Sequence, residues 1–160
     1  MLEQDQIKIL MRLHELEQGL AAMYALFSEK FPEHRGLWTV LIKEELEHAD
    51  AVQKLYGLTY ENAVFFPEGS IRCSAIESML DYVKRTCEIA RMDKLTSEQA
   101  LEFSRDIENS LIAKNIFDHF EVDKDFTAQL RYLRDSSEKH AQLVQLEIDR
   151  CNKAARGTEA

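Results

Sequence analysis

Leu37, Leu41, Glu45, His48, Val52 and Leu55 recur at steps of three and four, the period of one face of an α-helix. A face of that kind is buried against other helices, and this one carries a carboxylate and an imidazole among its apolar members. A buried carboxylate without a partner costs several kcal/mol, so a fold that buries this face must supply one to Glu45. Glu45 and His48 lie three residues apart and point the same way. A metal ion held by both is one candidate partner, and a buried hydrogen-bond network is the other.

The same period runs through most of the chain. Leu10, Leu13, Leu20, Tyr24, Phe27 and Phe31 form a stripe whose one gap is filled by Glu17. Pro32 and Gly36 punctuate the turn that follows, so helices over 3–30 and 34–57 are expected to form an antiparallel hairpin. Residues 58–69 lose the period but keep aromatic side chains, as a connection packed across the body would. A third helix over 71–92 presents Ile76, Met79, Leu80 and Val83. Thr96 with Gln99 reads as a capping box for a fourth over 96–119. The fifth, over 122–155, has the stripe Phe126, Leu130, Leu133, Ser137, His140, Val144 and Ile148, and the tail beyond it should fray. Strand-like alternation is absent, which predicts an all-α fold of two helical hairpins with an extra helix in the crossover.

Composition narrows the function. The 160 residues carry a formal net charge of −9, which argues against a general nucleic-acid or anionic-membrane binder and favours attraction of metal cations. The charged N-terminus has no apolar signal core and no apolar run is long enough to span a bilayer, so a cytoplasmic location is expected. Cys73, Cys87 and Cys151 form no Cys-x-x-Cys pair and are read as small packing residues.

The two halves repeat each other. Glu17, Glu45 and His48 stand in the first half much as Glu108, Ser137 and His140 stand in the second, with one residue more in the longer interval. Local context repeats too: Glu17-Gln-Gly-Leu20-Ala-Ala22 parallels Glu108-Asn-Ser-Leu111-Ile-Ala113, and His48-Ala49 with Val52 parallels His140-Ala141 with Val144. Four-helix bundles that hold two metal ions use one inward Glu from each of two helices and a Glu-x-x-His from each of the other two. On these residues, with Tyr24 seven positions after Glu17, the chain resembles the ferritin-like superfamily and, within it, the rubrerythrin-like di-iron proteins.

The resemblance implies that residues 1–160 form one ferritin-like domain binding one or two iron ions, with manganese or zinc as alternatives, for redox chemistry of Fe(II) with O₂ or peroxide. Glu45 would bridge, Glu17 and Glu108 would be terminal ligands, and His48 and His140 would each bind one ion. Tyr24 reads as a core aromatic whose hydroxyl bonds a ligand carboxylate. Two features depart from the family. Ser137 stands where the second bridging carboxylate belongs, and the rubredoxin-type Cys-x-x-Cys module is absent, so electrons would come from an external donor. Three carboxylates leave one surplus positive charge on two divalent ions and one surplus negative charge on one ion, which predicts a weakened or asymmetric site.

The rival expectation is a degenerate ferritin-like module that binds a partner or small ligand, with the polar residues as a buried network. A mononuclear hydrolase lacks any supporting acid/base or phosphate-cradling motif. Glu44 and Glu47 read as solvated charges, His14 as a surface residue, and His34 and His119 as ordinary residues near helix ends. A homodimer is expected, with Trp38, Phe65 and Phe66 at the subunit contact.

Overall fold

A computed structural model describes residues 4–59, 64–67 and 69–157. Five α-helices account for most of them: α1 (Gln4–Lys30), α2 (Arg35–Thr59), α3 (Cys73–Arg91), α4 (Ser97–Lys114) and α5 (Thr127–Gly157). The expected starts and ends at residue 3 and beyond 157, and parts of the 58–69 connection (60–63 and 68), lie outside the described residues.

Helices α1 and α2 are joined by a short 3-10 turn, Pro32–His34, where the fixed φ of Pro32 suits the first turn. They run antiparallel: Tyr24 stacks on Trp38 near the turn, while the Nδ1 of His14 donates to the Ala49 carbonyl further along, at 2.9 Å. Helices α4 and α5 form a second antiparallel pair, and α2 packs on α5 to join the pairs. Helix α3 leans on α1, burying Ile76, Met79, Leu80, Val83 and Cys87. The fold is all-α apart from a two-residue antiparallel pairing, β1 (Val64–Phe65) with β2 (Glu121–Val122).

Boundaries shift where local chemistry overrides periodicity. Thr96 and Gln99 form a reciprocal capping box, so α4 starts where expected. It stops at Lys114, five residues before the expected end, because Asn115 takes a left-handed conformation with φ of 46°. Ile116–His119 then makes a 3-10 turn, β2 follows, and a further 3-10 turn, Lys124–Phe126, delays the start of α5.

Trp38 and Phe66 do not stand at a subunit contact. Trp38 is fully buried between Tyr24 and Phe27, and Phe66 packs on Phe120 in the core, leaving Phe65 as the exposed member of the three. Their apolar area is spent on internal packing. Among the described residues no helix is long and apolar enough to cross a membrane.

Candidate metal centre

Four helices send one or two polar side chains into the middle of the core. Glu17 comes from α1, Glu45 and His48 from α2, Glu108 from α4 and His140 from α5, and all five are buried. Three steps along α2 turn the chain by about 300°, so Glu45 and His48 point into the same interior space.

Glu45 lies between the two imidazoles. Its Oε2 is 2.9 Å from His48 Nδ1, and its Oε1 is 3.0 Å from His140 Nδ1. Glu17 flanks His48 Nδ1 at 3.7 Å and Glu108 flanks His140 Nδ1 at 3.5 Å, so each ring has its own carboxylate and shares Glu45. The rings stack with centroids 5.3 Å apart and planes 26° apart. One ligand atom from each of Glu45, His48 and His140 can be chosen so that all three lie within 4.8 Å of one another.

Four buried atoms here have no hydrogen-bond partner: Glu45 Oε1, Glu108 Oε2, His140 Nδ1 and His48 Nε2. Glu45 Oε1 and His140 Nδ1 approach closely yet miss hydrogen-bond alignment. Orphaned buried polar atoms of this kind are costly and rare. Two of the four, Glu45 Oε1 and His140 Nδ1, lie 3.0 Å apart, which fits a cation beside them.

No family model, curated protein or solved structure matches this chain. The case for the centre therefore rests on its own chemistry. Carboxylates and imidazoles without sulfur suit iron, manganese or zinc rather than a soft ion.

Protons fill part of the cation's role. Burial lifts the Glu17 carboxyl to about 7, with His48 partly opposing. Burial works against the charged form of His48, but the neighbouring Glu17 and Glu45 carboxylates carry it up to about 9. The same opposition holds at His140, where Glu108 and Glu45 win and the ring rises to about 11. Tyr24 donates to Glu108 Oε1 at 2.6 Å, and burial followed by the Glu108 charge keeps its own proton firmly bound.

The surroundings correct several expectations. Glu44 is no solvated charge: its Oε2 lies 2.9 Å from His140 Nε2, its other oxygen meets Lys139, and its side chain is 15% exposed. Glu47 is exposed, as expected, and accepts from Tyr132 at 3.0 Å, while the Tyr132 ring stands edge-on to His48. His14 is half-buried on α1, with its ring held to the α2 backbone. His34 is buried, bonded to Glu147 and Ser97. His119 is half-buried beside a second cavity that Arg72 and Lys114 also line.

Ser137 is half-buried and lines a cavity of about 160 Å³ with Leu111, Asn115, Phe117 and Arg134; no hydrogen bond joins it to the five central residues. Its neighbour Ser136 is the buried one and returns its hydroxyl to the Tyr132 carbonyl. Sequence alone gave no sign of Glu44, because its value comes from α5: a position one residue before Glu45 lies about 100° around the helix, and only the arrival of His140 there makes it a partner.

Proposed function

We propose that this protein binds one or two iron ions in the manner of the rubrerythrin-like members of the ferritin-like superfamily, for redox chemistry with O₂ or peroxide. The observation that carries this reading is the convergence of Glu45 and two imidazole Nδ1 atoms in a buried space where Glu45 Oε1, Glu108 Oε2 and His140 Nδ1 lack partners.

Glu45 would be the shared ligand, since it offers one oxygen to each ring. Glu17 with His48 and Glu108 with His140 would complete the two halves. Iron bound there supplies one-electron chemistry toward O₂ or peroxide. The chain's residues contribute the rest. Tyr24 holds Glu108 by its hydroxyl, Glu44 holds the outer nitrogen of His140, and the apolar core keeps bulk water away from the ligands. The charge shortfall left by Ser137 supports one firmly bound ion and a weaker second one.

A second reading is a helical module without redox activity, in which protons serve in place of iron. The 2.9 Å approach of His48 to Glu45 and the raised values of both histidines favour it, because imidazolium rings satisfy the carboxylates.

Anaerobic Fe(II) titration with elemental analysis separates the two. The wild-type chain is expected to retain iron through gel filtration and Glu45→Ala to lose it while remaining helical. No uptake of Fe, Mn or Zn by the wild type would rule out the metal reading.

A further inference from the structure

A different group of donors gathers where the turn between α1 and α2 meets the C-terminal half of α5. His34 is 4% exposed; its Nδ1 lies 2.6 Å from Glu147 Oε1, and its Nε2 lies 2.8 Å from the Ser97 hydroxyl at the start of α4. Cys151 follows Glu147 by one helical turn and so shares its face. One ligand atom from each of His34, Glu147 and Cys151 lies within 4.8 Å of the others. We propose that these three residues form a second metal site, of the zinc(II) class and separate from the Glu45 centre.

The His34 ring is held at both nitrogens, by Glu147 and by the Ser97 hydroxyl. The 2.6 Å approach of His34 Nδ1 to Glu147 Oε1 brings an imidazole and a carboxylate together at a buried ring. A hydrogen bond serves that pair alone, whereas a metal ion also uses the third donor, Cys151.

The donor set selects the ion. A thiolate, an imidazole and a carboxylate are the ligand types zinc(II) takes, and three protein ligands leave one position for water. The thiolate and carboxylate together carry two negative charges, which balance a divalent cation. Binding displaces the Cys151 thiol proton to solvent, with no change of oxidation state. Arg150 holds both oxygens of Glu147, at 2.9 Å and 2.7 Å, and so orients the carboxylate from the solvent side. Cys151 is a free, half-buried thiol, open enough for an ion to reach. A bound ion would clip the α1–α2 turn to α5, with Ser97 drawing in the start of α4.

Cobalt(II) titration of the reduced, metal-free full-length chain tests this site, because sulfur ligation produces a thiolate-to-cobalt charge-transfer band in the near ultraviolet. The band is expected to appear, to be displaced by zinc(II), to survive Cys73→Ser and to be lost in Cys151→Ser. Alkylation of the wild type, followed by mass spectrometry, gives a readout that no variant's folding affects: zinc(II) is expected to slow modification of Cys151 and leave Cys73 unchanged. A missing band, a band that persists in Cys151→Ser, or Cys151 alkylation at the same rate with and without zinc(II) would overturn the proposal. The Glu45 centre contains no sulfur, so its failure to bind iron would leave these outcomes unaltered.

Discussion

Glu44 Oε2 lies 2.9 Å from His140 Nε2, while the Nδ1 of the same ring faces Glu45. A carboxylate on the outer nitrogen keeps a hydrogen there and turns the inner nitrogen toward the centre. Replacing Glu44 with Ala removes that constraint without touching a proposed ligand. Metal affinity, measured by competition with a chelator, is expected to fall about 10–100-fold, with helix content unchanged. Unchanged affinity would mean that the contact is a surface ion pair and nothing more.

Tyr24→Phe deletes the hydroxyl that donates to Glu108 Oε1 at 2.6 Å, deep in the core. Glu108 Oε2 already lacks a partner, so the variant leaves the whole carboxylate without a donor. The metal-free variant should lose roughly 1–3 kcal/mol of stability in urea unfolding, the cost of one buried unsatisfied group. A variant as stable as wild type would show that Glu108 finds another donor.

The metal-free protein should become less stable as pH rises. Glu17 holds its proton up to about 7, against 4.5 in the unfolded chain. His48 and His140 hold theirs up to about 9 and about 11, against 6.5. In each window the folded state binds a proton that the unfolded state has lost, so stability falls with increasing pH, first through Glu17 and then through the histidines. Urea midpoints taken from about pH 5 to about pH 9 are expected to decline steadily. A flat or rising series would mean that these groups are not protonated as their surroundings indicate.

Gly19 lies mid-helix in α1 facing α3, and a Cβ there would meet Val83 at 3.7 Å and Leu80 at 3.9 Å, ordinary contact distances. Gly19→Ala should therefore stabilise the fold by about 1 kcal/mol through helix propensity, with no steric cost. Thermal unfolding reads the change, and destabilisation would show that the α1–α3 contact is closer than these distances allow.

The helices and the buried polar residues were legible for different reasons. Periodicity located all five helices, since the repeat of apolar positions is itself the record of which face is buried. The expectation that Glu17, Glu45, His48, Glu108 and His140 share one interior came from the duplicated spacing. Helix ends were less legible where one residue decides them, as Asn115 does for α4. The partners that arrive from other helices left no local trace. Glu44 and His34 are unremarkable in sequence, and each acquires its role from α5, through His140 and Glu147. Trp38 and Phe66 misled because a large aromatic near a turn or in a connection reads equally well as core or as contact surface.

The central claim is that Glu45 and the two imidazoles hold a metal ion. A crystal of the protein grown with Fe(II) under anaerobic conditions, with anomalous data collected on either side of the iron edge, tests it most directly. The account predicts an iron peak within bonding distance of Glu45 and one of the two imidazole Nδ1 atoms, with any second, weaker peak sharing Glu45 and bound by the other imidazole. Iron absent from that space, with the imidazoles hydrogen-bonded to the carboxylates in its place, would contradict it.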